Sequence, residues 1–192
     1  MQLFWFFGLH GFSIIWGVVS SIWLPLFMEQ IDTFAKTQSF DSITQVAPNT
    51  ISNIYAMLGG SGSTLALIVV LLILAPKKSA EKEIAKMSLV PGIFNINEPI
   101  IFGLPIVLNP MMFIPFVFIP VVNAIIAYFA VSMHFVNPMV VLNSGQEPIF
   151  FNAWVLGAFT LSPVILMMIL FVIDMVLYAP FAKMVIKQNQ KG

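Results

Sequence analysis

The chain has no cysteine and very little charge. Without cysteine it has no disulfide framework and no thiol chemistry of its own. Only 8% of its 192 residues are charged, while 59% are hydrophobic. A soluble domain of this size needs a charged surface, and so few charges do not make one. Lys and Arg total 8, as do Asp and Glu, and a net charge of zero argues against nucleic acid as a partner. The polar–apolar alternation of a membrane β-barrel is also missing, since Leu65–Leu74 is a continuous apolar run. Finally, no basic n-region precedes the first apolar stretch, so the N-terminus does not read as a signal peptide.

Long uncharged runs are present instead. They cover 1–28, 42–76, 99–146 and 148–173, and each is long enough to span a bilayer of ~30 Å. The fold class is therefore all-α, a polytopic membrane protein with transmembrane helices and some re-entrant or broken ones. The spacing predicts a first apolar segment over 3–27, bent or ended by Pro25, then a polar loop over 29–53 with room for a short surface helix. A second span is expected over 54–75, with further crossings over 111–133 and 157–181. Residues 91–108 and 138–152 read as re-entrant or kinked pieces. Lys77, Lys78, Lys82 and Lys86 place that turn in the cytoplasm by the positive-inside bias, and Lys183, Lys187 and Lys191 put the C-terminus on the same side.

One stretch organises the rest, Pro91-Gly92-Ile93-Phe94-Asn95-Ile96-Asn97-Glu98-Pro99 through Pro110. Glu98 is a single carboxylate in an uncharged apolar surrounding. Pro99 suits the first position of a helix, and Asn97 suits its cap. The pattern predicts a short helix that starts at Glu98 and is ended or kinked by Pro105 or Pro110. Helix ends inside an apolar region need protein or a water-filled cavity around them, and in transporters they mark the substrate site. A membrane-surface boundary is the plainer alternative.

Other polar residues stand out along the chain. His10 lies between Gly8 and Gly11, which leave room for a close partner. Gly59-Gly60-Ser61-Gly62-Ser63 serves either close helix packing or a backbone that lines a polar cavity. Asn123 reads as a helix–helix hydrogen bond and His134 as an interfacial histidine. Asp174 precedes Lys183 by nine residues, roughly 13 Å along a helix, so it should face the protein interior and pair with a polar neighbour. Phe94 is one of 19 phenylalanines, and core packing is the commoner use of such a residue. Glu147-Pro148-Ile149-Phe150-Phe151 echoes Glu98-Pro99-Ile100-Ile101-Phe102, as a second broken helix facing the first would.

The stretch Pro91–Pro110 resembles the signature region of the membrane IIC components of the bacterial phosphotransferase system, lactose/cellobiose/diacetylchitobiose family. Gly8-Leu9-His10-Gly11, Leu58–Leu65 and Tyr178–Lys183 resemble further family segments in the same order. The resemblance implies an inner-membrane permease that captures a β-linked disaccharide for phosphorylation by a partner EIIB, itself phosphorylated on cysteine and fed by EIIA and HPr. It implies Glu98 and His10 as the catalytic pair, with Asn95, Asn97, Gly60 and Ser61 beside them at the sugar. It implies no cofactor and no metal, and a homodimer for the full-length permease. The family's N-terminal membrane region, its main dimer contact, is about as long as this chain and has no counterpart in it. Residues 1–192 are thus expected to be the C-terminal transport-domain part, without that scaffold.

The family's Trp-Thr-Thr-Pro-Pro pattern is replaced here by Asn143-Ser144-Gly145-Gln146-Glu147-Pro148, which leaves sugar choice and Glu147 unassigned. Three other readings stand beside the permease. One is an ion-coupled transporter with Glu98, His10 and Asp174 as a proton relay. Another is a membrane glycosidase built on Glu98 and Glu147. The last is an inactive truncated permease fragment.

Overall fold

The computed structural model describes residues 1–104, 106–142 and 147–190, and among these the regular elements are helical. The first apolar run is not one segment. Gly8, at φ +77°, breaks it after α1 (Gln2–Phe6), and His10 caps α2 (Gly11–Thr37). Gly11 permits the return, because a Cβ there would stand 2.2 Å from Met1 O. Pro25 lies inside α2, and the helix continues through Glu29 and Asp32 to Thr37.

The expected polar loop from residue 29 is therefore corrected, and buried Gln30 gives the reason. Its amide donates to Met139 O at 2.5 Å and Thr50 Oγ1 at 3.0 Å, and its Oε1 accepts from Ala47 N at 2.8 Å. One helical side chain thus joins three segments.

The expected span over 54–75 is also corrected. A short helix α3 (Pro48–Thr50) runs into a π-helical turn (Ile51–Tyr55), and an irregular loop follows with positive φ at Gly59, Gly60, Gly62 and Ser63. Only then does α4 (Thr64–Leu74) begin, 11 residues long, or about 16 Å. Polar groups of the loop find partners within the protein, as backbone in an apolar setting requires. Thr64 Oγ1 donates to Gly59 O at 2.9 Å, and Leu65 N donates to Leu58 O at 3.2 Å.

α4 is apolar all round and buried along most of its length, the mark of a central helix. It packs against α5 (Ala80–Ile93) and α9 (Ser162–Asn189). Lys82 of α5 reaches back to Leu72 O and closes the α4–α5 hairpin.

After α5 the chain breaks at Phe94–Asn97, with Asn95 at φ +61°, and restarts as α6 (Glu98–Gly103). The expected short helix at Glu98 is present. α7 (Pro110–Ser132) begins with an Asn109 cap on Met111 N at 3.0 Å and carries Pro115 and Pro120 inside one continuous helix. α8 (Ile149–Leu156) packs on α9 and on the π-helical turn. The echo's polar lead, residues 143–146, lies outside the described residues. α2, α7 and α9 are long and apolar enough to cross a membrane, with mean hydropathies of 1.7, 2.3 and 2.5.

Candidate functional site

The break before α6, the glycine loop and the start of α2 meet at one cleft of about 410 Å³. The six residues that the resemblance assigns to the catalytic pair and the sugar all line it: His10, Gly60, Ser61, Asn95, Asn97 and Glu98. They come from three stretches far apart in sequence and are brought together only by the fold.

Glu98 opens α6, where the helix N-terminus favours a negative charge. His10 Nε2 stands 3.9 Å from Glu98 Oε1, with both side chains about half exposed to the cleft (48% and 45%). The imidazole is also the N-cap of α2. Its Nδ1 accepts from Ser13 N at 3.2 Å and lies 2.8 Å from Ser13 Oγ. A backbone N–H can only donate, so Nδ1 is the acceptor and a neutral ring carries its proton on Nε2, toward Glu98. Trp5 supplies the close partner that Gly11 allows, its ring 4.5 Å from the imidazole.

The two asparagines hold the glycine loop. Asn95 Oδ1 accepts from Gly59 N at 3.0 Å and Gly60 N at 3.2 Å, which fixes the amide's orientation. Asn97 sits at the cap position of α6, but its side chain makes no cap bond. It donates Nδ2 to Ser61 O at 2.7 Å instead, so the expected side-chain cap is corrected. The opposite ends, Asn95 Nδ2 and Asn97 Oδ1, take no part in these bonds. Gly60 must be glycine, since it has φ +92° and a Cβ would fall 2.5 Å from Asn97 Cγ. The glycine run therefore lines a polar cavity.

The comparisons now bear on this geometry. A family profile described as "Phosphotransferase system, EIIC" matches residues 1–120, well over half of the chain. The chain belongs to the phosphotransferase-system EIIC family. It is 33% identical to the cellobiose-specific EIIC component of Lactococcus lactis over 94% of this chain and 40% of that one. It is 36% identical to the oligo-beta-mannoside-specific EIIC component of Bacillus subtilis, over 98% of this chain and 42% of that one. The crystal structure of the transporter ChbC, the IIC component from the N,N'-diacetylchitobiose-specific phosphotransferase system, matches with TM-score 0.87 and 37% identity. That match covers 100% of this chain and 44% of ChbC. This EIIC chain is thus a helical membrane protein, and it spans about 40% of the length of the curated relatives it matches.

Sequence reasoning missed part of the lining. Trp5, Phe12, Trp16, Asn53, Met57 and Asn152 also border the cleft, and Phe12 stacks on Trp16 at 5.1 Å. A signal was available, because Phe12 and Trp16 are four residues apart and follow His10 within two turns of α2. Asn152 enters from α8, one residue after the Glu147–Phe151 echo, none of which is in the lining. Phe94, in contrast, is exposed and does not border it.

Among the described lining residues Glu98 is the one carboxylate. Glu147 is not in the lining, nor is Asp174, which accepts from Asn123 Nδ2 at 2.9 Å behind the glycine loop. The expected helix–helix hydrogen bond of Asn123 is therefore present. His134 lies two residues beyond the end of α7, half-exposed, with Nδ1 4.0 Å from Asp41 Oδ1, away from the cleft.

Proposed function

We propose that the cleft binds a β-linked disaccharide of the cellobiose, diacetylchitobiose or lactose class, and that the EIIC protein containing this chain translocates it for phosphorylation by a cysteine-phosphorylated EIIB, in turn supplied by EIIA and HPr. The observation that carries this reading is the convergence of His10, Glu98, Asn95, Asn97, Gly60 and Ser61 on one cleft. Its volume suits a small-molecule site. Carboxylate, imidazole and asparagine amides give sugar hydroxyls both donors and acceptors, and Phe12 and Trp16 give a sugar ring an apolar face.

Glu98 is the base in this reading and His10 the orienting donor. A hydroxyl oxygen beside the 3.9 Å line between Nε2 and Oε1 lies about 2.8 Å from both. Glu98 takes its proton as the oxygen attacks phosphorus, while the bond from phosphorus to the EIIB sulfur breaks and cysteine leaves as thiolate. The Nε2 proton points at the same oxygen and, as attack proceeds, at the transferring group.

Residues 1–192 are the transport-domain part in this account, and dimerisation belongs to the full-length permease. The C-terminus is cytoplasmic. The lysine-rich turn after α4 supports that side for the turn, and Lys183 and Lys187 near the end of α9 support it for the C-terminus.

The test is phosphoenolpyruvate-dependent sugar phosphorylation by vesicles bearing the full-length permease, supplied with HPr, EIIA and EIIB. Sugar phosphate that forms with the native protein and falls at least 100-fold in Glu98→Gln supports the reading. Unchanged phosphorylation in that variant refutes it. Uptake that survives without phosphate donor and collapses with an uncoupler supports an ion-coupled transporter.

A further inference from the structure

The glycine loop has a second face, turned away from the cleft. There Asn123 of α7 donates Nδ2 to Ser63 Oγ at 3.2 Å and to Asp174 Oδ2 of α9 at 2.9 Å. Tyr178, one turn along α9 from Asp174, donates its hydroxyl to Gly62 O at 2.5 Å. Ser63, Asn123, Asp174 and Tyr178 are all fully buried. The loop is thus held by Asn95 and Asn97 on its cleft side and by two long helices on the other.

Two buried atoms of this cluster have no hydrogen-bond partner among the described residues, Asp174 Oδ1 and Asn123 Oδ1. They belong to the same bonded pair. An ionised Asp174 only accepts, and Asn123 Oδ1 only accepts, so charge on Asp174 leaves both without a donor. Among the described residues, the polar groups found against Asp174 are Asn123 from α7, Ser63 from the loop and Tyr178 from α9, and none of these three is a cation. A carboxylate there is a buried charge with the Asn123 hydrogen bond but no cation among these groups to offset it, which is disfavoured. One proton on Asp174 Oδ1 removes the charge and supplies the donor that Asn123 Oδ1 lacks. In a reciprocal pair the amide N–H donates to Oδ2, as observed, and the acid O–H would donate to the amide oxygen.

We propose that Asp174 is a neutral carboxylic acid in a reciprocal pair with Asn123, and that this pair, with Tyr178, is the positioning device for the glycine loop of the sugar site. The positioning half rests on the sugar-binding reading of the cleft; the protonation half does not. Asp174 is then no proton carrier, and its role is met by any side chain that can bond Asn123 in both directions.

The experiment pairs infrared spectroscopy with calorimetry on the detergent-purified chain and its Asp174→Asn and Asp174→Val variants. In a difference spectrum, native minus Asp174→Asn near neutral pH, the carbonyl band of a protonated carboxyl should appear and shift in D₂O. Asp174→Asn restores a reciprocal amide pair, so its cellobiose affinity should stay within about threefold of native. Asp174→Val leaves Asn123 unpaired and should lose roughly tenfold or more. Absence of the band shows an ionised Asp174 and overturns the proposal. So does loss of sugar binding in Asp174→Asn with its thermal melt unchanged. If the native chain binds no sugar either, the sugar-site reading and the positioning role fall together, while the infrared band still decides the protonation state.

Discussion

His10 Nε2 and Glu98 Oε1 stand 3.9 Å apart across the cleft, and the ring's orientation is set from behind by Ser13. This distance is too long for a direct hydrogen bond and short enough for one hydroxyl to touch both. Ser13→Ala removes the hydroxyl contact at Nδ1 and leaves the Ser13 N–H bond in place. The expected effect is a loss of about 1 kcal/mol in sugar affinity. His10→Ala also removes the α2 cap and the Nε2 donor, and it should weaken binding well beyond that. Calorimetry of the two variants with cellobiose checks the order.

Asn95 and Asn97 separate by chemistry. Asn95 works through an acceptor toward Gly59 and Gly60, whereas Asn97 works through a donor toward Ser61 O. Asn95→Asp keeps acceptor oxygens and should keep the loop. Asn97→Asp sets a carboxylate against a carbonyl and should cost on the order of 1–3 kcal/mol. Thermal melts of the two variants are the measurement, with Asn97→Asp expected to melt lower.

Gly60→Ala tests the loop directly. Its Cβ would fall on the Asn97 amide, and φ +92° is strained for any L side chain. The expected result is a cleft that no longer binds sugar in a chain whose helical circular dichroism is retained. Gly17→Ala is the control, since nothing lies within 4 Å of the added Cβ there.

Much of this was legible in the sequence, for identifiable reasons. Glu98-Pro99 announces a helix start because Pro fixes φ and lacks an N–H. The Gly59–Ser63 run reads as serving either helix packing or a cavity-lining backbone, and Gly60 and Ser61 in the cleft lining decide for the second. Long uncharged runs located α7 and α9.

Other features depend on tertiary partners that no local pattern shows. Residues after Glu29 read as a polar loop, yet Gln30 carries α2 onward because its partners lie at 47, 50 and 139. Residues 54–75 read as one span, since composition alone does not separate an apolar irregular loop from an apolar helix. Asn97 looked like a cap and is one by position, but Ser61 O competes for its side chain and wins.

Four tryptophans allow an optical test. Trp5 and Trp16 line the cleft, and Trp23 and Trp154 do not. A sugar-induced change in tryptophan fluorescence should survive the double variant Trp23→Phe, Trp154→Phe and be lost in Trp5→Phe, Trp16→Phe. The reverse pattern would place the sugar elsewhere.

The central claim is that this chain holds the sugar site around Glu98. Its most direct test is titration calorimetry of the detergent-purified chain with cellobiose, diacetylchitobiose and lactose, beside Glu98→Gln. The account predicts that the native chain binds at least one of the three and that Glu98→Gln binds none. Equal binding by both, or no binding by the native chain, would contradict it.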